Sequence, residues 1–164
     1  MAVDIFLKID GIPGESPDAK HRNEIQCESF DWGVQQAGNM GNGESPLGLP
    51  SITRGKSAKA IFQNFTFKHR LDKASPKLIA ACAQGIHIQT VALVLRKAGA
   101  QMTEFLKVTL KDVLVSSVTL ESGGGDTIPM EVVALSYAEI EIAYIPQKVD
   151  GALDTPVTAT CQVQ

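Results

Sequence analysis

Ser75-Pro76-Lys77-Leu78-Ile79-Ala80-Ala81-Cys82-Ala83-Gln84-Gly85 is the one stretch of this chain that reads as a helix. Ser75 is placed to accept a backbone N–H as N-cap, and Pro76 suits the first helical position, where a missing N–H costs nothing. Leu78, Ile79 and Cys82 form a short apolar stripe, and Gly85 suits the left-handed position after the last turn. A helix over about residues 75–84 is therefore predicted. On both sides of it the pattern has the two-residue period of strands.

Upstream, Val3, Ile5, Leu7 and Ile9 alternate with Asp4, Lys8 and Asp10, the signature of a half-buried strand. Gly11, Pro13, Gly14, Glu15, Ser16 and Pro17 then supply turn chemistry. A second strand is expected from roughly His21 to Gln35. Its apolar face changes from Ile25 and Cys27 to Phe30, Trp32 and Val34, a one-residue slip that predicts a β-bulge near Glu28. Residues 58–69 read as a third strand, with Phe65 and Phe67 on one face and Thr66 and Lys68 on the other.

Downstream, Ile86–Lys97, Thr103–Glu121 and Pro129–Tyr144 are rich in Val, Ile, Leu and Thr and are separated by glycine-containing turns, which predicts three long strands. Leu106, Val108 and Leu110 alternate with polar residues, yet Asp112 falls on the same apolar face, so a bend or second bulge is expected there. Glu139 and Glu141 alternate with Ile140, Ile142 and Tyr144. The tail turns at Asp150-Gly151 and ends in a short strand at about residues 156–163. Strands in succession with one helix among them favour an antiparallel β-barrel or sandwich with a flanking helix over a βαβ fold. The expected fold is mainly β, an antiparallel barrel in one domain spanning residues 1–164, with a filled core of aliphatic and Phe side chains.

Composition narrows the partners. The formal charge is −3 over 164 residues, and no Lys/Arg cluster stands out, which argues against nucleic acid or an anionic membrane as partner. No stretch has the length of a membrane span, and the first ten residues lack a basic leader, so neither membrane insertion nor a signal peptide is expected. Cys27, Cys82 and Cys161 form no C-x-x-C pair and are odd in number, as in a reducing compartment. Synthesis in the cytoplasm is expected, with any export by a route that reads no leader.

The motifs of chemistry are weak. Gly55-Lys56-Ser57 resembles the end of a phosphate-binding loop, but Pro50 stands where the first glycine belongs. Gly123-Gly124-Gly125 reads as a hairpin turn. Ser16, Ser45 and Ser57 miss the spacing of a nucleophile elbow. Asn64-Phe65-Thr66 matches a glycosylation acceptor but falls in mid-strand. His21, His69 and His87 lack metal-ligand spacing and are expected at the surface or at strand ends. Glu139 and Glu141 read as a solvated strand face rather than an acid/base pair. Cys27 and Cys82 read as small core residues, and Trp32 as a large aromatic buried in the barrel. No catalytic residue, metal or cofactor is expected.

The order of several segments resembles the haemolysin-coregulated protein (Hcp) family along nearly the whole chain. These are Asp4-Ile5-Phe6-Leu7-Lys8-Ile9, Gly14-Glu15-Ser16, His21, Glu24-Ile25 and Trp32-Gly33, then Leu71-Asp72-Lys73-Ala74-Ser75-Pro76 leading into Ala80-Ala81-Cys82. Arg96-Lys97-Ala98-Gly99, Phe105-Leu106, the run Leu110-Lys111-Asp112-Val113-Leu114-Val115-Ser116-Ser117-Val118, Tyr144 and Pro146-Gln147 complete the likeness.

The resemblance implies a β-barrel with one helix, six copies closing into a ring, and rings stacking into the inner tube of a type VI secretion system. Its partners would be further copies of itself, the spike protein, the contractile sheath that expels the tube, and effector proteins carried in the lumen. Delivery by that machine from the bacterial cytoplasm would explain secretion without a signal peptide. Because the chain ends soon after Gln147, no fused toxin domain is expected.

Within that picture Ser29 and Asp31, opposite Trp32 in alternation, are candidates for the wet inner wall, the other reading being an ordinary outer surface. Residues 38–55 are rich in Gly, Asn, Ser and Pro and exceed the usual loop length of about 4–6 residues. Asn39, Met40, Asn42, Glu44, Leu47 and Leu49 in that loop are candidates for contacts between subunits or rings, the other reading being a plain surface loop. Outside the resemblance, the rival is a monomeric barrel that binds a small ligand in a hollow core.

Overall fold

The computed structural model describes residues 2–36, 60–99, 101–125 and 128–163. These residues group into two compact units, one made of residues 1–31 with 64–164 and the other of residues 32–63.

The larger unit is built from strands β1 (Val3–Ile9) and β2 (Ile25–Asp31), then, beyond the smaller unit, from β5 (Phe65–Arg70), helix α1 (Ser75–Gln84), β6 (His87–Lys97), β7 (Glu104–Glu121), β8 (Met130–Tyr144) and β9 (Val157–Gln162). Its sheet runs β5-β2-β1-β6-β7-β8-β9, and a further pairing of β5 with β8 closes six strands into an antiparallel barrel. Strand β8 serves two partners along one edge. Met130–Leu135 pairs with β5 and completes the barrel, while Glu139–Tyr144 pairs with β9, which lies outside it.

The smaller unit contains β3 (Val34–Gln36) paired with β4 (Ala60–Phe62). The second and third strands expected from sequence are thus each broken in two, at Trp32-Gly33 and at Gln63-Asn64. The first of them also starts later than expected, since His21 lies in a turn. Trp32 is half-buried and belongs to the smaller unit, which corrects its expected place in the barrel. Aromatic size alone does not say which cluster a strand-end residue joins.

Phe6, Leu7, Ile25, Phe65, Phe67, Leu93, Leu110, Leu135 and Ile140 are fully buried in the barrel unit. Each such side chain stabilises the fold by about 1.5–3 kcal/mol relative to exposure. Aliphatic and Phe side chains make up most of these large buried positions, and His69 and Glu131 are fully buried as well.

The bulge expected near Glu28 is present. The β2–β5 register shifts between Cys27 and Ser29, which moves burial from Ile25 and Cys27 to Phe30. At Asp112 the buried positions of β7 change from Val108 and Leu110 to Val113 and Val115 while the register against β6 and β8 stays constant. A bend, not a bulge, occurs there, and Asp112 adopts φ +53°. True register shifts of β7 lie elsewhere, opposite Leu95/Arg96 and at Val115/Ser117.

Helix α1 has the expected span, but Ala74, not Ser75, is its N-cap, and no side chain caps it. Ser75 is buried, and its Oγ accepts the Asp72 N–H at 3.2 Å while Asp72 Oδ1 accepts the Ala74 N–H at 2.8 Å. The polar side chains thus order the approach to the helix, one residue earlier than a simple cap would. Gly85 takes the left-handed conformation, φ +63°. The buried stripe is Ser75, Leu78 and Ala81, with Ile79 exposed and Cys82 half-buried.

Candidate functional site

Among the described residues, buried charged groups concentrate in two places within the barrel unit. At the first, Arg96 of β6 is almost wholly buried opposite Asp4 of β1, its ladder partner. Its Nη2 donates to Asp4 Oδ2 at 3.0 Å and to Asp18 Oδ2 at 2.7 Å. Asp18 is fixed by its own turn, where Oδ1 accepts the N–H groups of Lys20 and His21. The guanidinium carbon sits 4.8 Å from the Phe6 ring centre, and the His21 ring stacks on Phe6 at 4.4 Å. His21 Nδ1 lies 2.8 Å from Glu24 Oε2 and Nε2 lies 2.9 Å from Glu104 Oε1. These contacts fasten the glycine- and proline-rich segment 11–24 to β1, β6 and β7.

Backbone pairing finishes the segment. Gly14 N–H donates to Asn23 O at 2.8 Å and Ser16 N–H to Glu24 O at 3.0 Å. A Cβ at Gly14 would lie 2.5 Å from Glu24 O and 2.7 Å from Ile25 Cα, so only glycine allows this approach. The Asp18 carboxyl is held down to about 2, chiefly by its hydrogen bond from Arg96.

At the second place, His69 of β5 and Glu131 of β8 are 0% exposed and 3.1 Å apart, Nε2 to Oε1. Asp72 Oδ1 lies 3.9 Å from His69 Nδ1. Burial raises the Asp72 carboxyl and pushes the nearby Cys27 thiol up strongly, which keeps it an inert thiol. Above this cluster an open cleft of about 410 Å³ is lined by Glu15, Ser16, Gln26, Glu28, Arg70, Leu71 and Asp72.

Of the three histidines, only His87 is at the surface, with Nδ1 3.0 Å from Asp112 Oδ1. The buried positions of His21 and His69 correct the expectation of surface residues: His21 is held between Glu24 and Glu104, and His69 Nε2 faces Glu131 across the ladder. Glu139 is half-buried, facing Lys111 Nζ at 3.5 Å and accepting from Gln162 Nε2 at 3.2 Å; Glu141 is half-buried too. Neither is fully solvated as expected, because β9 lies beside them. Among the described residues no three His, Cys, Asp or Glu side chains are grouped to hold a metal ion. No described helix is long and apolar enough to cross a membrane.

Ser29 and Asp31 lie exposed on β2, flanking the inward-leaning Phe30. Asn39, Met40, Asn42, Glu44, Leu47 and Leu49 lie outside the described residues. Arg96, Asp18, Glu104 and Glu131 are structural anchors that sequence reasoning did not single out as site residues. One signal was available for Glu131, which shares the alternating face of Val133, Leu135 and Tyr137.

At the far end of the sheet, β9 pairs with β8 on one side and has no strand on the other among the described residues. The hairpin before it is well braced. Lys148 N–H donates to Ala152 O and Gly151 N–H to Lys148 O, Gln147 bridges Leu153, and Lys97 Nζ donates to Gln147 Oε1. This braced turn leaves Tyr144, Leu153 and Val157 exposed and Val149 at 110% of full exposure. An ordered, unpaired edge beside exposed apolar side chains is a surface suited to another polypeptide.

Comparison with known proteins decides the family. Residues 6–144 match the family model described as "Type VI secretion system effector, Hcp". The chain belongs to the Hcp family. It is 40% identical over 155 residues to Protein hcp1 of Pseudomonas aeruginosa, a match that covers 94% of this chain and 90% of that one. Among solved Hcp structures, it is similar to Hcp1 from Salmonella typhimurium, with a TM-score of 0.76 at 38% identity, covering 99% of this chain and 95% of the other. A type VI secretion system effector from Yersinia pestis gives a TM-score of 0.76 at 35% identity, covering 98% and 100%. The resemblance seen in the sequence and the closed barrel with one helix therefore agree on an Hcp protein of type VI secretion.

Proposed function

We propose that this Hcp chain, as a single domain over residues 1–164, is the structural subunit of a type VI inner tube. Six copies close head-to-tail into a ring, and rings stack into a tube made in the bacterial cytoplasm and expelled by the type VI machine. The family match over residues 6–144 carries this reading. The work of such a protein is assembly and transport, not catalysis, with sheath, spike and effectors as its other partners. A head-to-tail ring needs two different complementary surfaces on each copy. The exposed β9 edge with its braced hairpin supports one of them. Ser29 and Asp31 are assigned to the lumen wall, and Asn39, Met40, Asn42, Glu44, Leu47 and Leu49 to contacts between copies.

Light scattering on a size-exclusion column, followed by negative-stain imaging, tests the proposal. A particle of six subunits with an open centre is the expected result. A clean monomer over a wide concentration range would overturn the ring.

A further inference from the structure

Between the end of β1 and segment 11–24 lies a cleft of about 400 Å³, with Lys8, Ile12, Pro13, Lys20 and Arg22 in its lining. Lys8, Lys20 and Arg22 are exposed, and none of the three makes an ion pair among the described residues. In a chain of formal charge −3, three unpaired cations around one cleft run against the overall balance. Their spacing along the chain hides the cluster from sequence, and the turn at Asp18 brings it together. We propose that this cleft is a binding site for a phosphate monoester group, held by Lys8, Lys20 and Arg22.

The acids nearby are engaged elsewhere. Glu24, which also lines the cleft, has Oε2 2.8 Å from His21 Nδ1, and Asp4 and Asp18 both accept from Arg96. Asp10 is exposed and is not part of the lining. The ladder partner of Lys8 on β6 is Ala92, and pairing of β1 with β2 stops at Leu7↔Ile25, so neither neighbouring strand sets an acid opposite it. The backbone that carries the cations is fixed in advance. Ile12 N–H donates to Ile9 O at 3.1 Å and Asn23 N–H to Ser16 O at 3.0 Å, while Asp18 Oδ1 accepts the Lys20 N–H at 2.9 Å. Gly11 and Asn23 make the left-handed turns, at φ +78° and +61°. Binding would therefore have to order only the Lys and Arg side chains, not the loop.

The composition of the cleft selects the ligand class. A phosphate monoester carries a charge of about −1.5 to −2 at neutral pH and offers three acceptor oxygens. The Arg fork matches two of those oxygens, and Lys ammonium groups add compact point charges. Three cations fall short of the roughly 6–10 phosphate contacts of a nucleic-acid site. The cavity instead has the size of a small-molecule site, about 300–1,000 Å³. Ile12, Pro13 and Ala19 give it an apolar part against which the organic body of an ester would rest, a contact that free phosphate lacks. A soluble ester and a lipid headgroup present the same group, and the experiment separates them. The site stands whether or not the chain closes into rings.

The test is isothermal titration calorimetry of the full-length protein with glycerol 3-phosphate at fixed ionic strength, with inorganic phosphate as the second probe. Saturable binding of one ligand per chain is expected, tighter for the ester than for inorganic phosphate. K20Q/R22Q should weaken it by about tenfold or more, and K8Q should weaken it too. K77Q/K107Q, which removes two exposed cations outside the cleft, should leave it unchanged. Thermal melts matching the parent would show that the variants fold, and the titration of the unmodified chain is decisive without them. Flotation with phosphatidic acid vesicles that is lost in K20Q/R22Q would assign the group to a lipid. Soluble binding without flotation would assign it to a soluble ester. No saturation up to about 10 mM ester, or equal weakening by K77Q/K107Q, would overturn the site. An ester bound no more tightly than inorganic phosphate would overturn the assignment to an ester.

Discussion

Arg96 Nη2 lies 2.7 Å from Asp18 Oδ2, and this single contact joins a buried strand position to a surface turn 78 residues away. It holds the Asp18 carboxyl at about 2, below its ordinary 3.8. A group whose folded value is depressed contributes stability that is whole above its unfolded value and is lost as pH falls through the folded one. Segment 11–24 should therefore loosen between about pH 4 and about pH 2, before the barrel does. Hydrogen exchange of the Ser16 and Asn23 amides would follow this, and D18N should show the loosened state at neutral pH. Protection that persists in D18N would show that the contact is idle.

The same segment depends on Gly14. Backbone atoms of Glu24 and Ile25 occupy the space a Cβ would need, and backbone cannot step aside as a flexible side chain can. G14A should cost about 2–4 kcal/mol of unfolding free energy, measured by urea titration. G123A, whose Cβ would meet nothing, serves as the control and should lie within about 0.5 kcal/mol of the parent.

His21 carries the segment's other tie. Its ring lies between Glu24 and Glu104 and stacks on Phe6, so H21A removes two polar links and a buried ring together. A loss of about 2–4 kcal/mol is expected from urea titration. By contrast E28Q, which breaks an exposed pair with Arg70, should change stability by about 0.5 kcal/mol or less, because water screens that pair.

These contrasts explain what was legible in the sequence. Local periodicity is written residue by residue, so β1, the bulge at Glu28, the helix span and the late strand β9 could be read. The β5–β8 closure joins residues 60 to 70 positions apart, from Arg70↔Met130 to Phe65↔Leu135, and no local pattern encodes it. His69 reads as a surface or strand-end residue because polar side chains usually are, and its ladder partner Glu131, 62 residues away, is what makes its burial tolerable. Ser75 looked like a cap because its chemistry fits one, yet the hydroxyl was taken by Asp72 instead. Trp32 was assigned to the barrel on size, while the chain breaks from β2 just before it.

Asp112 offers the sharpest test of a feature that was half legible. The alternation of β7 required a break at this residue, and the chain makes it with φ +53° and no change of register. Left-handed backbone is tolerated by Asp, Asn and Gly but costs a β-branched residue more, since its Cβ crowds the following carbonyl. D112N should be near neutral, and D112G should be neutral or stabilising by up to about 1 kcal/mol if relief of strain exceeds the lost contact with His87. D112V should destabilise by about 1–3 kcal/mol, read from the urea midpoint at constant slope. If valine were as stable as glycine here, the bend would owe nothing to the backbone of this residue. The shift of burial from Leu110 to Val113 would then have to come from packing alone.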